Sequence, residues 1–261
     1  MSEERSERGF YVGYAALPRR HRVFLLIALP IALAGLALGA AGLALDQPDW
    51  GTGFWETGAA REFRGTITLE PYPVLHTTGG EVPASYLLVE MGKFGSADRF
   101  TKMPEIDGAT VSIRGRELHR DGRRMIEIDP DHPALGPPVA VLPADRPAVP
   151  PHRENAPDAV TLRGEIVDSK CYLGAMKPGA GRGHKACATL CISGGIPPVL
   201  VVRDGDAAPV YYLLTDPGGE GLSGSGLSVL LPMIAEQIEV RGTPGHLGSW
   251  RTLRIDPGQF K

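Results

Sequence analysis

The densest chemistry in the chain is Cys171, followed thirteen residues on by His184-x-x-Cys187-x-x-x-Cys191. Thiolate and imidazole are soft to borderline donors, so three thiols and one imidazole make a Cys3His set suited to zinc or Cu(I). A helix over Lys185 to Cys191 would place His184, Cys187 and Cys191 at i, i+3 and i+7 on one face, opposite Cys171. Gly194-Gly195 and Pro197-Pro198 would then end it. The same residues admit two other chemistries. A disulfide from Cys171 to Cys187 or Cys191 would staple a glycine-rich loop in an oxidising compartment and leave one thiol over. A thiolate near Lys170, Lys185 or a helix N-terminus would have a lowered pKa and attack a partner's disulfide. Three cysteines are too few for a disulfide scaffold, and without C-x-x-C-H there is no signal for c-type haem.

The segments that must position these residues alternate apolar and polar positions with the period of strands. They fall into two sets that repeat. Arg64-Gly65, Tyr86-Leu87-Leu88, Arg114-Gly115 and Ile128-Asp129 are matched by Arg163-Gly164, Tyr212-Leu213-Leu214, Arg241-Gly242 and Ile255-Asp256. Tyr86 to Arg114 is 28 positions and Tyr212 to Arg241 is 29, while Arg114 to Asp129 and Arg241 to Asp256 are both 15. Matched spacing of this kind points to an internal duplication. Asp121-Gly122 between two apolar-patterned runs is a two-residue hairpin signal. Each set has the strands of a small five-stranded barrel of the OB type, whose closure removes exposed edges. The sets differ in one place: Gly65 to Tyr86 spans 21 residues and Gly164 to Tyr212 spans 48. All three cysteines and His184 lie in that insertion, beside the face where such barrels bind ligands.

Nine of the 28 residues from Pro130 to Pro157 are proline, which forbids helix and sheet interiors and reads as an extended linker. Upstream, Val23 to Leu45 is 23 residues without a charge, long enough to cross a hydrocarbon core of about 30 Å as a helix. Arg19, Arg20 and Arg22 precede it and Asp46, Asp49 and Glu56 follow, which keeps the N-terminus cytoplasmic. Trp50, Phe54 and Trp55 suit the outer headgroup interface. The expected organisation is a cytoplasmic segment 1–22, a transmembrane helix 23–45, a first OB-like β domain 46–130, a linker 131–157 and a second OB-like β domain 158–261. The chain is thus expected to be mainly β and single-pass in a bacterial inner membrane, its bulk periplasmic and its first partner the bilayer at Val23 to Leu45.

Around the cysteines the chain resembles small exported bacterial domains that carry G-E-I/V-V-D-x-x-C-Y, H-x-x-C-A-x-x-C, a G-x-P turn and a strand ending Y-L-L. Here these are Gly164-Glu165-Ile166-Val167-Asp168, Cys171-Tyr172, His184, Cys187-Ala188, Cys191, Gly195-Ile196-Pro197 and Tyr212-Leu213-Leu214. The resemblance covers roughly residues 160 to 256 and implies an OB-like exported domain, with no activity attached. The architecture is also similar to that of the haem chaperone of cytochrome c maturation, but its haem-binding His with Tyr four residues later is missing. Ala188 follows His184 at that distance, and Trp250 follows His246.

Beyond residue 45 there are 22 basic and 27 acidic residues, a balance of −5 that argues against nucleic acid as a partner. Arg114, Arg116, Arg120, Arg123 and Arg124 gather on one predicted hairpin, a basic patch to meet anionic headgroups or an acidic subunit. No H-E-x-x-H, paired carboxylates or Ser/His/Asp spacing marks an enzyme. The expectation is therefore a non-enzymatic, membrane-anchored accessory or assembly subunit of a larger membrane complex, with the Cys/His loop as staple or zinc or copper site. The alternative is a metal-handling or thiol-disulfide protein that delivers metal or electrons to such a complex.

Overall fold

The computed structural model describes residues 17–46, 51–77, 83–130, 158–205 and 207–260, so the proline-rich segment 131–157 and Trp50 lie outside the described residues. The apolar run forms one helix, α1 (Arg19–Leu45), with Pro30 inside it and no buried residue. At a rise of 1.5 Å its 27 residues span about 40 Å, long and apolar enough to cross a bilayer. The chain divides into two units, Met1–Asp49 and Trp50–Lys261.

The second unit holds two closed barrels of five strands each. The first is made of β2 (Arg61–Thr68), β3 (Val74–Thr77), β4 (Ala84–Val89), β5 (Thr110–Arg120) and β6 (Arg123–Ile128), with a two-residue strand β1 (Phe54–Trp55) added at β5 and a short helix α2 (Ala97–Phe100) between β4 and β5. The second is made of β7 (Val160–Asp168), β8 (Pro198–Val202), β9 (Val210–Thr215), β10 (Gln237–Leu247) and β11 (Trp250–Ile255). The circuits are the same: β2-β3-β4-β6-β5 and β7-β8-β9-β11-β10, each returning to its first strand. Neighbours are antiparallel except β4 with β6 and β9 with β11, which are parallel. Tyr86 pairs with Arg124 and Tyr212 with Arg251 at the same place in the two parallel pairs. Asp121 and Gly122 turn the β5–β6 hairpin with φ of 47° and 76°, the left-handed pair that a two-residue hairpin of this twist needs.

The repeated Arg-Gly pairs have a steric cause. A Cβ on Gly65 or Gly164 would fall on the backbone carbonyl of His76 or Val201 across the sheet. A Cβ on Gly115 or Gly242 would fall on that of Glu127 or Arg254. Small barrels bend their strands tightly where they close, and glycine permits the approach.

The barrels are joined by a common core. Val74, Leu87, Val89, Leu118 and Met125 of the first pack in one apolar cluster with Val167, Tyr172, Leu173, Ile196, Leu213 and Trp250 of the second. Polar contacts cross it: the Tyr72 hydroxyl donates to the Leu214 carbonyl (2.7 Å) and accepts from the Leu222 N–H (3.1 Å), and the Trp250 indole donates to the Ser85 carbonyl (3.0 Å). Phe54 and Trp55 form β1, pairing with His119 and Leu118, because the β5 edge offers free backbone groups. Each of the five hairpin arginines makes contacts within the two barrels. Arg120 is buried with its guanidinium 4.2 Å over the Tyr172 ring, and Arg123 donates to the Ser249 carbonyl, both in the second barrel. Arg124 pairs with Glu117 (2.8 Å), Arg114 with Asp129 (3.3 Å), and Arg116 donates to the Gly58 carbonyl (3.0 Å).

Candidate functional site: a thiol cluster between the barrels

The insertion of the second barrel leaves β7 at Asp168 and makes a π-type turn (Cys171–Ala175), a 3-10 turn (Arg182–His184) and helix α3 (Lys185–Ser193). Asp168, fully buried, organises both ends of this loop. Its Oδ1 accepts the N–H of Cys171 (2.7 Å), capping the turn as an N-cap aspartate does three residues on. Its Oδ2 takes the Nε2 of His184 (3.0 Å). Cys187 and Cys191, one turn apart on α3, share a face and meet Cys171 there.

The three Sγ atoms lie within 4.8 Å of one another and none is in a disulfide. Cys171 and Cys191 are buried and Cys187 is half-buried. His184 belongs to a second set, with Asp168 and Cys171, also within 4.8 Å. The expected Cys3His square is thus two overlapping triangles sharing Cys171. The physical reason is that an imidazole buried at 4% exposure needs a polar partner, and the Asp168 carboxylate supplies it.

The first barrel completes the site with residues that no spacing in the sequence marks. Lys93, on the loop after β4, donates from Nζ to Cys187 Sγ (2.8 Å) and stands 3.8 Å from Cys191 Sγ. Next to it Lys170 crosses in the opposite direction. Its ammonium meets three acceptors for three protons: Glu127 Oε1 (2.6 Å) and the carbonyls of Glu90 and Gly92 (2.8 Å each). Gly95 N–H donates to the Gly194 carbonyl at the end of α3 (2.9 Å), closing the joint.

These groups surround a cleft of about 530 Å³ with mainly apolar walls, including Trp55, Met91, Ala175 and Met176, and the three thiols open onto it. Arg116 is the one arginine of the hairpin that lines it. The cluster is electrostatically polarised. A hydrogen bond from Cys171 lowers the Cys191 pKa to about 7 against the cost of burial, helped by the Lys93 charge and a hydrogen bond from Cys187. Cys171 is pushed far above the usual thiol range because it donates that bond, is buried and faces the Asp168 carboxylate. Lys93 is raised by its bond to Cys187. Three sulfurs this close could serve as a donor set for a soft metal ion or for thiol chemistry.

The sequence placed the cysteines correctly in one insertion and missed Asp168 as orienter, although Asp three residues before Cys171 is an N-cap spacing. Compared with protein-family models, with curated proteins and with solved structures, the chain finds no match.

Proposed function

We propose that this chain is a membrane-anchored accessory protein with two OB-like barrels, whose inter-barrel thiol cluster holds a soft metal ion for a membrane complex. The observation that carries the reading is the convergence of three unpaired cysteine Sγ atoms within 4.8 Å beside an open cleft. A structural staple would need only one sulfur pair and no cleft. The OB-like assignment is supported by the strand circuit: first, second, third, fifth and fourth strands in order around the barrel, with a parallel closing pair. The anchor is α1, and the arginines of its first turn favour a cytoplasmic N-terminus with both barrels periplasmic. Delivery to a complex suits a site at a joint, where a small shift of one barrel changes the coordination.

The test is native mass spectrometry of the full chain in detergent, purified without chelator or reductant. A gain of one zinc or copper, lost in Cys171→Ser and Cys191→Ser and kept in His184→Gln, supports the reading. A loss of two hydrogens with no metal supports a thiol-disulfide protein instead, the second reading favoured by the lowered Cys191 pKa. C-terminal alkaline phosphatase and green fluorescent protein fusions test the topology: the phosphatase should be active and the fluorescent protein dark.

A further inference from the structure

The walls of the cleft carry a feature that the thiol cluster does not use. Methionine is apolar and usually buried, yet Met91 is 49% exposed and Met176 is 46% exposed. Both line the cleft that holds Cys171, Cys187 and Cys191, and they come from opposite barrels: Met91 from the loop after β4, Met176 from the end of the π-type turn. The thioether is a neutral, soft donor that selects Cu(I), whereas zinc takes thiolate, imidazole or carboxylate and closes a structural site with four of them.

Among the described residues, the lining of the cleft includes no histidine and one carboxylate, that of Glu127. His184 Nε2 is held by Asp168 at 3.0 Å. The Glu127 carboxylate, which also lines the cleft, is held by Lys170 at 2.6 Å. Five sulfurs line the cleft, three thiols and two thioethers.

We infer that the cargo of the cleft is Cu(I), and that Met91 and Met176 are the ligands that pass it between the cleft mouth and the three thiols. This rests on the metal reading given under the proposed function and specifies its ion and its route. The transfer is a ligand exchange: a copper–thioether bond breaks as a copper–thiolate bond forms, each thiol that ligates releases its proton to solvent, and copper remains Cu(I) throughout. Lys93, 2.8 Å from Cys187 Sγ, offsets the negative charge that two or three thiolates leave around a monovalent ion.

The experiment uses the full chain in detergent, reduced and free of oxygen, with Cu(I) and Zn(II) each presented from a coloured chelator. The parent chain should take up Cu(I) with Zn(II) present at equal concentration. The double variant Met91→Leu/Met176→Leu should keep the equilibrium affinity for Cu(I) but exchange it more slowly by about tenfold or more, the scale on which supporting ligands act. Zn(II) exchange should not change. The single variants Met91→Leu and Met176→Leu, with melting temperatures equal to that of the parent, should each show part of the slowing. A preference for Zn(II), or Cu(I) exchange as fast in the double variant as in the parent, would overturn the inference and leave a metal site standing. A parent chain that binds neither ion would overturn both.

Discussion

Lys170 of the second barrel and Glu127 of the first form an ion pair at 2.6 Å with both side chains 4% exposed. Such a pair adds little net stability, because desolvation offsets its attraction, but breaking it leaves a buried charge. Glu127→Gln or Lys170→Met should each lower the unfolding free energy by about 3 kcal/mol or more. The double variant Glu127→Met/Lys170→Met should recover most of that loss. Denaturant unfolding of the full chain measures it, and single variants within experimental error of the parent would refute the assignment of this pair as the inter-barrel lock.

The joint beside that pair depends on close backbone approach. A Cβ on Gly194 would fall on the Lys93 carbonyl, and one on Gly95 on that of Gly195. Gly194→Ala should therefore destabilise by about 1–3 kcal/mol, the usual cost of overpacking, and weaken metal uptake by displacing Lys93. Gly183→Ala, in the same insertion but with open space at its Cβ, is the control and should leave both unchanged. Equal effects of the two would mean that glycine itself, not the approach, matters.

The lowered Cys191 pKa predicts one thiol that ionises near pH 7 in the reduced, metal-free chain. Ultraviolet thiolate absorbance against pH should show it, Cys191→Ser should remove it, and Lys93→Met should move it upward by taking away the ammonium. A titration unmoved by Lys93→Met would show that the charge is not what holds the thiolate.

Glu70 of the first barrel shares a hydrogen bond with Glu220 of the second, and burial, that bond and carboxylate repulsion raise its pKa from 4.5 to about 7. The folded chain then favours neutral Glu70, so this contribution to stability is present below pH 4.5 and is lost as pH rises through about 7. Because Glu70 is exposed, solvent screens the effect and the slope is shallow. The melting temperature of Glu70→Gln should fall less than that of the parent between pH 4.5 and 7. Parallel curves would count against the shift.

Much of this architecture can be read from local pattern. The apolar run fixes α1, since 23 uncharged residues in a row suit a helix long and apolar enough to cross a bilayer. The two matched sets of Arg-Gly, Tyr-Leu-Leu and Ile-Asp positions fix two barrels of one circuit, since each glycine answers a strand crossing that recurs. The 48-residue span from Gly164 to Tyr212 fixes where the cysteines sit, and the i, i+4 spacing puts Cys187 and Cys191 on one face of α3. Only the tertiary structure decided what those thiols face. Lys93 reaches Cys187 from 94 positions away, and Lys170 reaches the Glu90 carbonyl from 80. No periodicity marks such pairs, because they come from packing one barrel's end against another. The same packing turned Arg120 inward onto Tyr172 and gave His184 to Asp168, since a buried cation or imidazole goes to whichever partner the fold brings within reach.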